Sequence, residues 1–218
     1  MAIDSLIKRP KSMKKETMLK KLAQKGYDVS YSANLNFATY DIVAKFPAVV
    51  SLLSITIGIL GLVVSAFQLT GVSVAILITG ILSLYVENFT VNKDKYSKRG
   101  VENTALLNRL KNLYLQVRDS DKEEDSFEEI EKEYEAIERE FNATSSAKQI
   151  LFANWFAHYK FFVEKDYSWM DEQLHFGLWK DKIPGTAKMA FLGIVLVLII
   201  LIISNWSSII ATIGAWFS

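Results

Sequence analysis

The chain has 218 residues, half of them hydrophobic, and its 25 lysines and arginines nearly balance its 24 aspartates and glutamates. It has no cysteine, which excludes disulfides, thiolate nucleophiles and cysteine-based metal sites. Residues 1–45 have 9 basic against 4 acidic side chains, and residues 87–188 have 16 against 20. Neither region has the clustered basic stripe of a nucleic-acid-binding protein, so direct nucleic-acid binding is not expected.

The first 45 residues are rich in lysine and predict a loose basic arm followed by a short helix. From Val29 onward, apolar residues recur at four-three-four spacing, which indicates a helix with one buried face. These residues are Tyr31, Leu35, Ala38 and Ile42. Pro47 favours the first turn of a helix and disfavours helical geometry in the residue before it, so a new helix is expected to begin there. The lysines of the arm either contact anionic lipid headgroups or form a solvated face.

The longest uncharged stretch, Phe46 to Val86, has about forty residues, twice the roughly twenty that cross a bilayer once. The residues from Gln68 to Gly71 favour a tight reversal, in which Gly71 can take a positive φ angle. Two spans are therefore predicted, Pro47 to Phe67 and Val72 to about Val91. Because backbone amides cannot remain unpaired in hydrocarbon, both spans should be helices that form a transmembrane hairpin.

Small residues repeat at three-four-three-four spacing along the first predicted span, and the same spacing continues in the second. The residues of this small-residue face are Ser51, Ser54, Gly58, Gly61 and Ser65 in the first span, and Thr79, Gly80, Ser83 and Glu87 in the second. Small residues allow helices to approach closely in lipid. The face therefore either packs the hairpin together or lines a pore between several copies of the chain. Glu87 in turn is either a side chain that reaches the headgroups or a carboxylate at the mouth of the pore.

Two apolar series with coiled-coil spacing follow the hairpin. The first consists of Leu106, Leu110, Leu113 and Val117, and the second of Phe127, Ile130, Tyr134, Ile137 and Phe141. Only a short polar break separates them, so they predict an antiparallel helical pair. Ser126, with Glu129 three positions later, matches a capping box and places the start of the second helix at about Ser126.

An aromatic segment comes next, from Ala147 to Trp179. Its large apolar side chains are Leu151, Phe152, Trp155, Phe156, Tyr159, Phe162, Val163, Tyr167, Trp169 and Phe176. Such a density of aromatic residues beside a membrane indicates a helix that either lies against the bilayer surface or seals the base of the helical pair. Packing against protein is the preferred interpretation.

A second uncharged run, from Met189 to Ser218, predicts a third transmembrane helix. This helix should begin near Lys188 and run to the end, with Trp206 or Trp216 at the far interface. Basic residues flank the apolar runs at Lys93, Lys95, Lys98, Arg99, Lys180, Lys182 and Lys188. Positive residues beside short spans stay in the cytoplasm, so we predict a cytoplasmic N-terminus and a C-terminus outside.

Together these features predict an all-α integral membrane protein with four parts. Residues 1–45 form a cytoplasmic basic arm and pre-membrane helix, and residues 46–91 form the transmembrane helical hairpin. Residues 92–187 form a cytoplasmic helical domain, and residues 188–218 form a C-terminal third transmembrane helix. The first and third spans each present a small-residue face, so a homo-oligomer within the lipid bilayer is expected.

No catalytic site is expected. The only histidines are His158 and His175, and Glu172 with His175 forms a single Glu-x-x-His motif. Di-iron bundles need two such motifs and further carboxylates. The sequence has no nucleophile elbow, no phosphate-binding glycine loop and no zinc pattern. We therefore expect no enzyme activity, no cofactor and no metal ion.

Three stretches share their layout with a known family. They are the pre-membrane helix from Tyr31 to Tyr40, the hairpin from Phe46 to Val86, and the basic turn followed by Leu106 to Val117. This layout resembles that of the SLATT proteins of bacteria, which are two-span effectors of conflict systems. The resemblance implies a pore-forming effector of the bacterial inner membrane that acts in antiphage defence by abortive infection. It also implies a nucleotide-signalling or reverse-transcriptase partner. The third span is absent from the simplest members of that family.

Two functions from different classes remain. The first is a gated pore or membrane-depolarising effector that opens when a partner or nucleotide acts on residues 92–187. The second is a non-conducting membrane anchor that recruits a cytoplasmic partner through the same residues. The small-residue faces exceed what one hairpin needs for packing, which favours the first.

Overall fold

The structure is a computed structural model that describes residues 15–120, 127–144 and 148–205. Within these residues the protein is all-α and has no strand, which confirms the predicted fold class. The helices are α1 (Lys15–Val63), α2 (Thr70–Glu87), α3 (Lys93–Arg118), α4 (Glu128–Thr144), α5 (Ala153–Tyr159), α6 (Ser168–Leu174) and α7 (Gly185–Ser204). Short 3-10 helices span Ser65–Gln68 and Thr90–Asn92, and a π-helix spans Lys160–Glu164.

Three predictions fall on residues outside the described ranges. They are the basic arm before Lys15, the capping residue Ser126, and the far-interface tryptophans Trp206 and Trp216.

α1 is one uninterrupted helix of 49 residues, about 73 Å long at about 1.5 Å per residue. Pro47 lies inside it, so the prediction that a new helix begins at Pro47 is wrong. The expected short helix before Val29 is likewise part of α1. A proline removes one backbone hydrogen bond, but an apolar helix tolerates this because the helix still pairs its other amides. The same helix therefore contains the residues predicted to precede the membrane and those predicted to enter it.

α1 and α2 form the predicted hairpin, but the reversal lies earlier than expected. α1 ends at Val63, the 3-10 helix Ser65–Gln68 turns the chain, and Leu69 is extended, with φ −68° and ψ 139°. Gly71 lies in the first turn of α2, and no described glycine has a positive φ angle, so the turn role predicted for Gly71 is wrong. α2 ends at Glu87, short of the predicted Val91.

The first part of α1 packs antiparallel to α3. Near the start of α1, the ammonium of Lys15 donates a hydrogen bond of 2.7 Å to the carbonyl of Ser120. Farther along α1, Asn103 Nδ2 donates to Ser32 Oγ at 3.0 Å. Later residues of α1 therefore contact earlier residues of α3.

α4 completes a three-helix bundle with α1 and α3. Lys21 and Lys25 of α1 form ion pairs with Glu131 at 3.6 Å and Glu138 at 2.6 Å, so α4 runs parallel to α1 and antiparallel to α3. The predicted antiparallel pair is confirmed, and α1 is a third member that the prediction lacked. The buried side chains of the bundle include Met18, Leu22, Leu110, Val117, Tyr134 and Ile137.

The aromatic segment packs along α1 in the opposite direction. The rings of Tyr31 and His158 lie 6.2 Å apart between centroids. Farther from the hairpin, Trp169 of α6 covers Gly26, where a Cβ would overlap the indole ring. Ala153, Ala157, Phe161, Trp169 and Met170 are buried, so the preferred interpretation of packing against protein is confirmed for them.

A second compact unit begins at Phe176. Its helix α7 begins at Gly185, slightly before the predicted start at Lys188, and follows Pro184. α7 spans residues up to Ser204 and buries none of them. The remainder of the predicted helix from Trp206 onward, which also contains Trp216, lies outside the described ranges. The ammonium of Lys188 lies 5.7 Å from the centroid of the Trp179 ring.

Candidate membrane hairpin and junction

Three described helices are long and apolar enough to cross a membrane. In α1, α2 and α7 the most apolar windows have mean hydropathies of 2.3, 1.7 and 2.7. The chain buries only 0%, 6% and 0% of these windows. Apolar helices that their own chain leaves uncovered must be covered by lipid or by other protein. The protein is therefore a membrane protein.

The two helices of the hairpin enclose an apolar groove of about 360 Å³. Its lining residues are Val50, Leu53, Ser54, Ile57, Phe67, Val72, Ala75, Ile76 and Thr79. Of the predicted small-residue face, only Ser54 and Thr79 belong to this lining.

The structure divides the predicted small-residue face between two environments. Ser54, Gly61, Thr79 and Ser83 are partly buried, whereas Ser51, Gly58, Ser65, Gly80 and Glu87 are exposed. A Cβ at Gly58 or Gly80 would meet nothing within 4 Å, whereas at Gly61 it would lie 3.8 Å from the carbonyl of Phe67. The physical reason is the width of the face, because three-four spacing spreads the α1 residues over an arc of about 80°. One edge of that arc faces α2 and the other faces outward.

Three hydroxyl groups in the hairpin bond to their own helices. Thr56 Oγ1 donates to the carbonyl of Leu52 at 2.9 Å, and Ser83 Oγ donates to the carbonyl of Thr79 at 3.2 Å. Thr79 Oγ1 donates in the same way to the carbonyl of Ala75 at 2.6 Å. Such bonds satisfy a hydroxyl without a partner from another helix. These side chains can therefore lie in an apolar environment, whichever surface covers them.

Glu87 is the last residue of α2 and is exposed. It forms no ion pair with a described residue. The next residue, Asn88, bonds through its side-chain amide to the carbonyls of Leu84 and Tyr85, each at 3.3 Å, and so closes the last turn of the helix. Glu87 therefore lies where the apolar part of α2 ends.

The predicted basic flanks lie beside the ends of the apolar helices. Lys93, Lys95, Lys98 and Arg99 occupy the start of α3. Lys98 pairs with Glu102 one turn later at 3.9 Å. In the second unit, Lys180 and Lys182 precede α7 and Lys188 lies in its first turn, where its ammonium donates to the carbonyl of Lys180 at 3.4 Å.

A junction cluster joins the base of the hairpin to the aromatic segment. Its buried members are Leu35, Ala38, Val43, Val86, Phe89, Tyr96, Ile150, Ala153 and Ala157. The hydroxyl of Tyr96 donates to the carbonyl of Lys148 at 2.7 Å. The backbone N–H of Leu151 donates to the hydroxyl of Tyr85 at 3.4 Å. Both apolar helices are therefore anchored to the same short segment, residues 148–157.

Asp41 lies next to this cluster and binds two lysines. Its carboxylate accepts hydrogen bonds from Lys45 at 2.8 Å and from Lys160 at 2.7 Å. Burial would raise the pKa of Asp41, but the hydrogen bonds and charges of Lys160 and Lys45 outweigh it and lower the pKa below its usual value. The ammonium of Lys160 also lies 4.7 Å from the centroid of the Phe156 ring. This pair ties the π-helix to α1.

Sequence reasoning missed Asp41, Lys160 and Tyr85. No local spacing connects Asp41 with Lys160, because 119 residues separate them. One signal was available: a lysine within a dense aromatic segment needs a partner if its neighbours are buried. Tyr85 had a signal as well, since tyrosine is enriched where a span meets the headgroups.

The two histidines lie in different surroundings. His158 is buried beside Tyr31, whereas His175 caps the end of α6 with a φ angle of 49°. Within the described ranges, no group of three or more histidine, aspartate or glutamate side chains could hold a metal ion.

No curated protein and no solved structure matches the chain. The family model of the SMODS and SLOG-associating 2TM effector domain 6 matches residues 13–191. The matched residues contain α1 to α6 and end early in α7, so most of the third apolar helix follows the match. This match confirms the resemblance found in the sequence, and because it covers more than half of the chain, the protein belongs to the SMODS and SLOG-associating 2TM effector domain family.

Proposed function

We propose that the protein is a homo-oligomeric effector that forms a pore, or otherwise depolarises the membrane, when its helical bundle is triggered. The observation that supports this most is the open part of the small-residue face. In α1, Ser51 and Gly58 lie to one side of the residues that line the groove. In α2, Gly80 and Glu87 lie to one side of the groove-lining residues. At about 100° per residue, and with the helices antiparallel, both pairs lie on the same side of the hairpin.

This side of the hairpin suits contact with another copy of the chain. A Cβ at Gly58 or Gly80 would meet nothing within 4 Å, so a neighbouring helix can approach the backbone closely at both positions. Close approach is the main source of helix association in lipid, where no hydrophobic effect drives helices together. Copies that pack through this side bring their Glu87 carboxylates towards a common axis. A ring of carboxylates at a pore mouth favours cations.

The bundle and the hairpin share α1, which supports triggering through the bundle. α1 continues from its contacts with α3 and α4 into the hairpin without an end at Pro47. A ligand or partner that shifts the bundle therefore also shifts or rotates the first apolar helix. The junction cluster, which contains Val43 of α1 and Val86 of α2, would carry the same movement to the base of α2.

The remaining parts of the proposal follow from the family and from charge. We propose that the protein acts in bacterial antiphage defence, by abortive infection, with a nucleotide-signalling or reverse-transcriptase partner, as its family membership suggests. The basic residues from Lys93 to Arg99 and from Lys180 to Lys188 support a cytoplasmic bundle, with the end of α7 outside the bacterial inner membrane. The effector acts on the bilayer, without enzyme activity.

Induced expression in bacteria with a membrane-potential dye tests the proposal. The unmodified protein should depolarise cells and stop their growth. Gly58→Leu fills the open side of α1 and should abolish depolarisation at equal protein level. Val63→Leu is the matched control, because Val63 is exposed and lies about 140° around α1 from Gly58.

Two results would contradict the proposal. Equal depolarisation by the Gly58→Leu and Val63→Leu proteins would exclude the open side as a functional contact. Normal membrane potential at every expression level of the unmodified protein, together with recovery of a bound cytoplasmic protein, would favour the non-conducting anchor.

A further inference from the structure

Two large apolar side chains are exposed outside the apolar helices, directly before α5. Leu151 is 58% exposed and Phe152 is 56% exposed. The Phe152 ring packs against Trp155 on one edge, with the ring centroids 5.6 Å apart. We call Leu151 and Phe152 the apolar tip. Adjacent leucine and phenylalanine side chains this exposed are costly in water.

The apolar tip lies at the base of the hairpin, beside the end of α2 and the middle of α1. Its backbone is held there by the bond from the Leu151 N–H to the hydroxyl of Tyr85, which is in the last turn of α2. The preceding residue, Ile150, is buried in the junction cluster with Val43 of α1 and Val86 of α2. The tip is therefore continuous with the apolar surface of the hairpin.

The direction of α5 places the tip at the end of the aromatic segment nearest the hairpin. α5 runs antiparallel to α1, so its far end lies beside earlier residues of α1. There the rings of Phe161 and Tyr27 lie 5.2 Å apart. Tyr27 precedes Val43 by sixteen residues, about 24 Å along a helix. Val163, two residues beyond Phe161, follows Phe152 by eleven residues, which is about 16 Å along a helix, so it lies well away from the tip.

The backbone of the tip turns its side chains outward. Phe152 has a φ angle of 66°, in the left-handed region that favours glycine. Its carbonyl accepts the N–H groups of Trp155 and Phe156 at 3.1 Å and 3.2 Å, which fixes the turn into α5. The sequence keeps a large aromatic residue here although glycine would adopt this conformation with less strain. Lys148, which is also exposed, precedes the tip by three residues.

We propose that the apolar tip, Leu151 and Phe152, inserts into the headgroup region of the lipid bilayer beside the hairpin. Leucine and aromatic side chains partition to this depth, and a neighbouring lysine favours anionic headgroups. The tip thus fixes the height of α5, and with it the Asp41–Lys160 pair, relative to the bilayer surface. The apolar tip is distinct from α1 and α2 of the hairpin and from the side of the hairpin that carries Gly58 and Gly80.

The absence of cysteine allows a direct test with single-cysteine variants of the full-length chain. Phe152→Cys and Leu151→Cys are labelled with an environment-sensitive nitrobenzoxadiazole probe and reconstituted into liposomes of phosphatidylcholine and phosphatidylglycerol. Val163→Cys is the matched control, because Val163 is 65% exposed and lies near Phe161. Each variant is compared at native helical content by circular dichroism.

Probes at positions 151 and 152 should emit at shorter wavelength than the probe at 163, and lipids with a shallow spin label should quench them several-fold more. Aqueous iodide should quench the probe at position 163 more strongly than the probes at positions 151 and 152. Equal quenching of all three positions by spin-labelled lipid would overturn the proposal. Protection from iodide without quenching by lipid would also overturn it, since protein from this chain or another copy would then cover the tip. If Phe152→Cys fails to fold, the result at position 151 decides.

Discussion

Asp41 and Lys160 form an ion pair of 2.7 Å in which each side chain is only 18% exposed. The pair joins α1, at a point six residues before Pro47, to the π-helix that follows α5. Lys45 is a second partner of Asp41 but is itself largely exposed. The pair is therefore a charged contact, largely shielded from water, between the base of the hairpin and the aromatic segment.

Replacing Asp41 by alanine should destabilise the fold by roughly 2–3 kcal/mol, because it leaves the partly buried Lys160 ammonium without a carboxylate. Thermal unfolding in detergent, followed by circular dichroism, measures this change. Lys132→Met is the control, since the Lys132–Glu128 pair has side chains 70% and 69% exposed and should contribute almost nothing. Equal melting temperatures for the Asp41→Ala and Lys132→Met proteins would show that the Asp41–Lys160 pair does not hold the two segments together.

Gly26→Ala should destabilise the protein by about 1–2 kcal/mol despite the higher helix propensity of alanine. The new Cβ would overlap the Trp169 ring, which is buried and cannot swing away. Gly58→Ala is the matched change in the same helix, where a Cβ meets nothing within 4 Å. Gly58→Ala should be neutral or slightly stabilising in detergent monomers. A Gly26→Ala protein as stable as the unmodified chain would contradict the packing of α6 on α1.

Acid should weaken the attachment of α6. Hydrogen bonds from the hydroxyl and the backbone N–H of Ser168, and then the ammonium of Lys111, lower the pKa of Asp166 to about 2. Its pKa in the unfolded chain is about 3.9, so the folded state is favoured above pH 4 and loses this contribution as the pH falls towards 2. Melting temperatures measured between these pH values should fall less steeply for Asp166→Asn than for the unmodified protein. Parallel curves would exclude Asp166 as a source of the pH dependence.

The proposed topology can be tested by thiol labelling of intact cells. An impermeant reagent should label Asn205→Cys, just after α7, but not Lys132→Cys, on the exposed face of α4. The expectation rests on the basic residues that flank the apolar helices. Labelling of Lys132→Cys in unbroken cells would place the bundle outside and reverse the topology.

Glu87→Gln should lower the cation preference of the pore without changing expression, because it removes the carboxylate at the proposed mouth. Glu102→Gln is the control, since Glu102 lies in α3 and pairs with Lys98 at 3.9 Å. Reversal potentials of the reconstituted proteins in a salt gradient give the answer. If Glu87→Gln and the unmodified protein have the same reversal potential, Glu87 lies away from the conduction path.

The features that could be predicted from the sequence are those that depend on residues close together in the chain. A charge-free run of about forty residues indicates two apolar helices by length alone, and the coiled-coil spacing from Leu106 to Val117 indicates the pairing of α3 with α4. The continuity of α1 through Pro47 was not predicted, because the local preference of proline competes with pairing of the surrounding amides. Trp169 on Gly26 and the Asp41–Lys160 pair depend on contacts between distant segments, which no spacing reveals.

Within the candidate site, too, the sequence could not predict which residues of the small-residue face contact the other helix. The spacing from Ser51 to Gly61 indicates that these residues share one arc of α1, whereas Ser65 lies beyond the end of α1, in the 3-10 helix. It does not say which edge of the arc faces α2, because that depends on the rotation of α1 in the hairpin. The groove, lined by Ser54 but not by Gly58, reveals the rotation.

Single-channel recording from the purified, full-length protein in planar bilayers tests the central claim most directly. The account predicts discrete conductance steps for the unmodified protein and for Val63→Leu, and their loss in Gly58→Leu, with all three proteins inserted in equal amounts. Silent bilayers with the unmodified protein at every protein-to-lipid ratio, although cross-linking shows inserted oligomers, would contradict it.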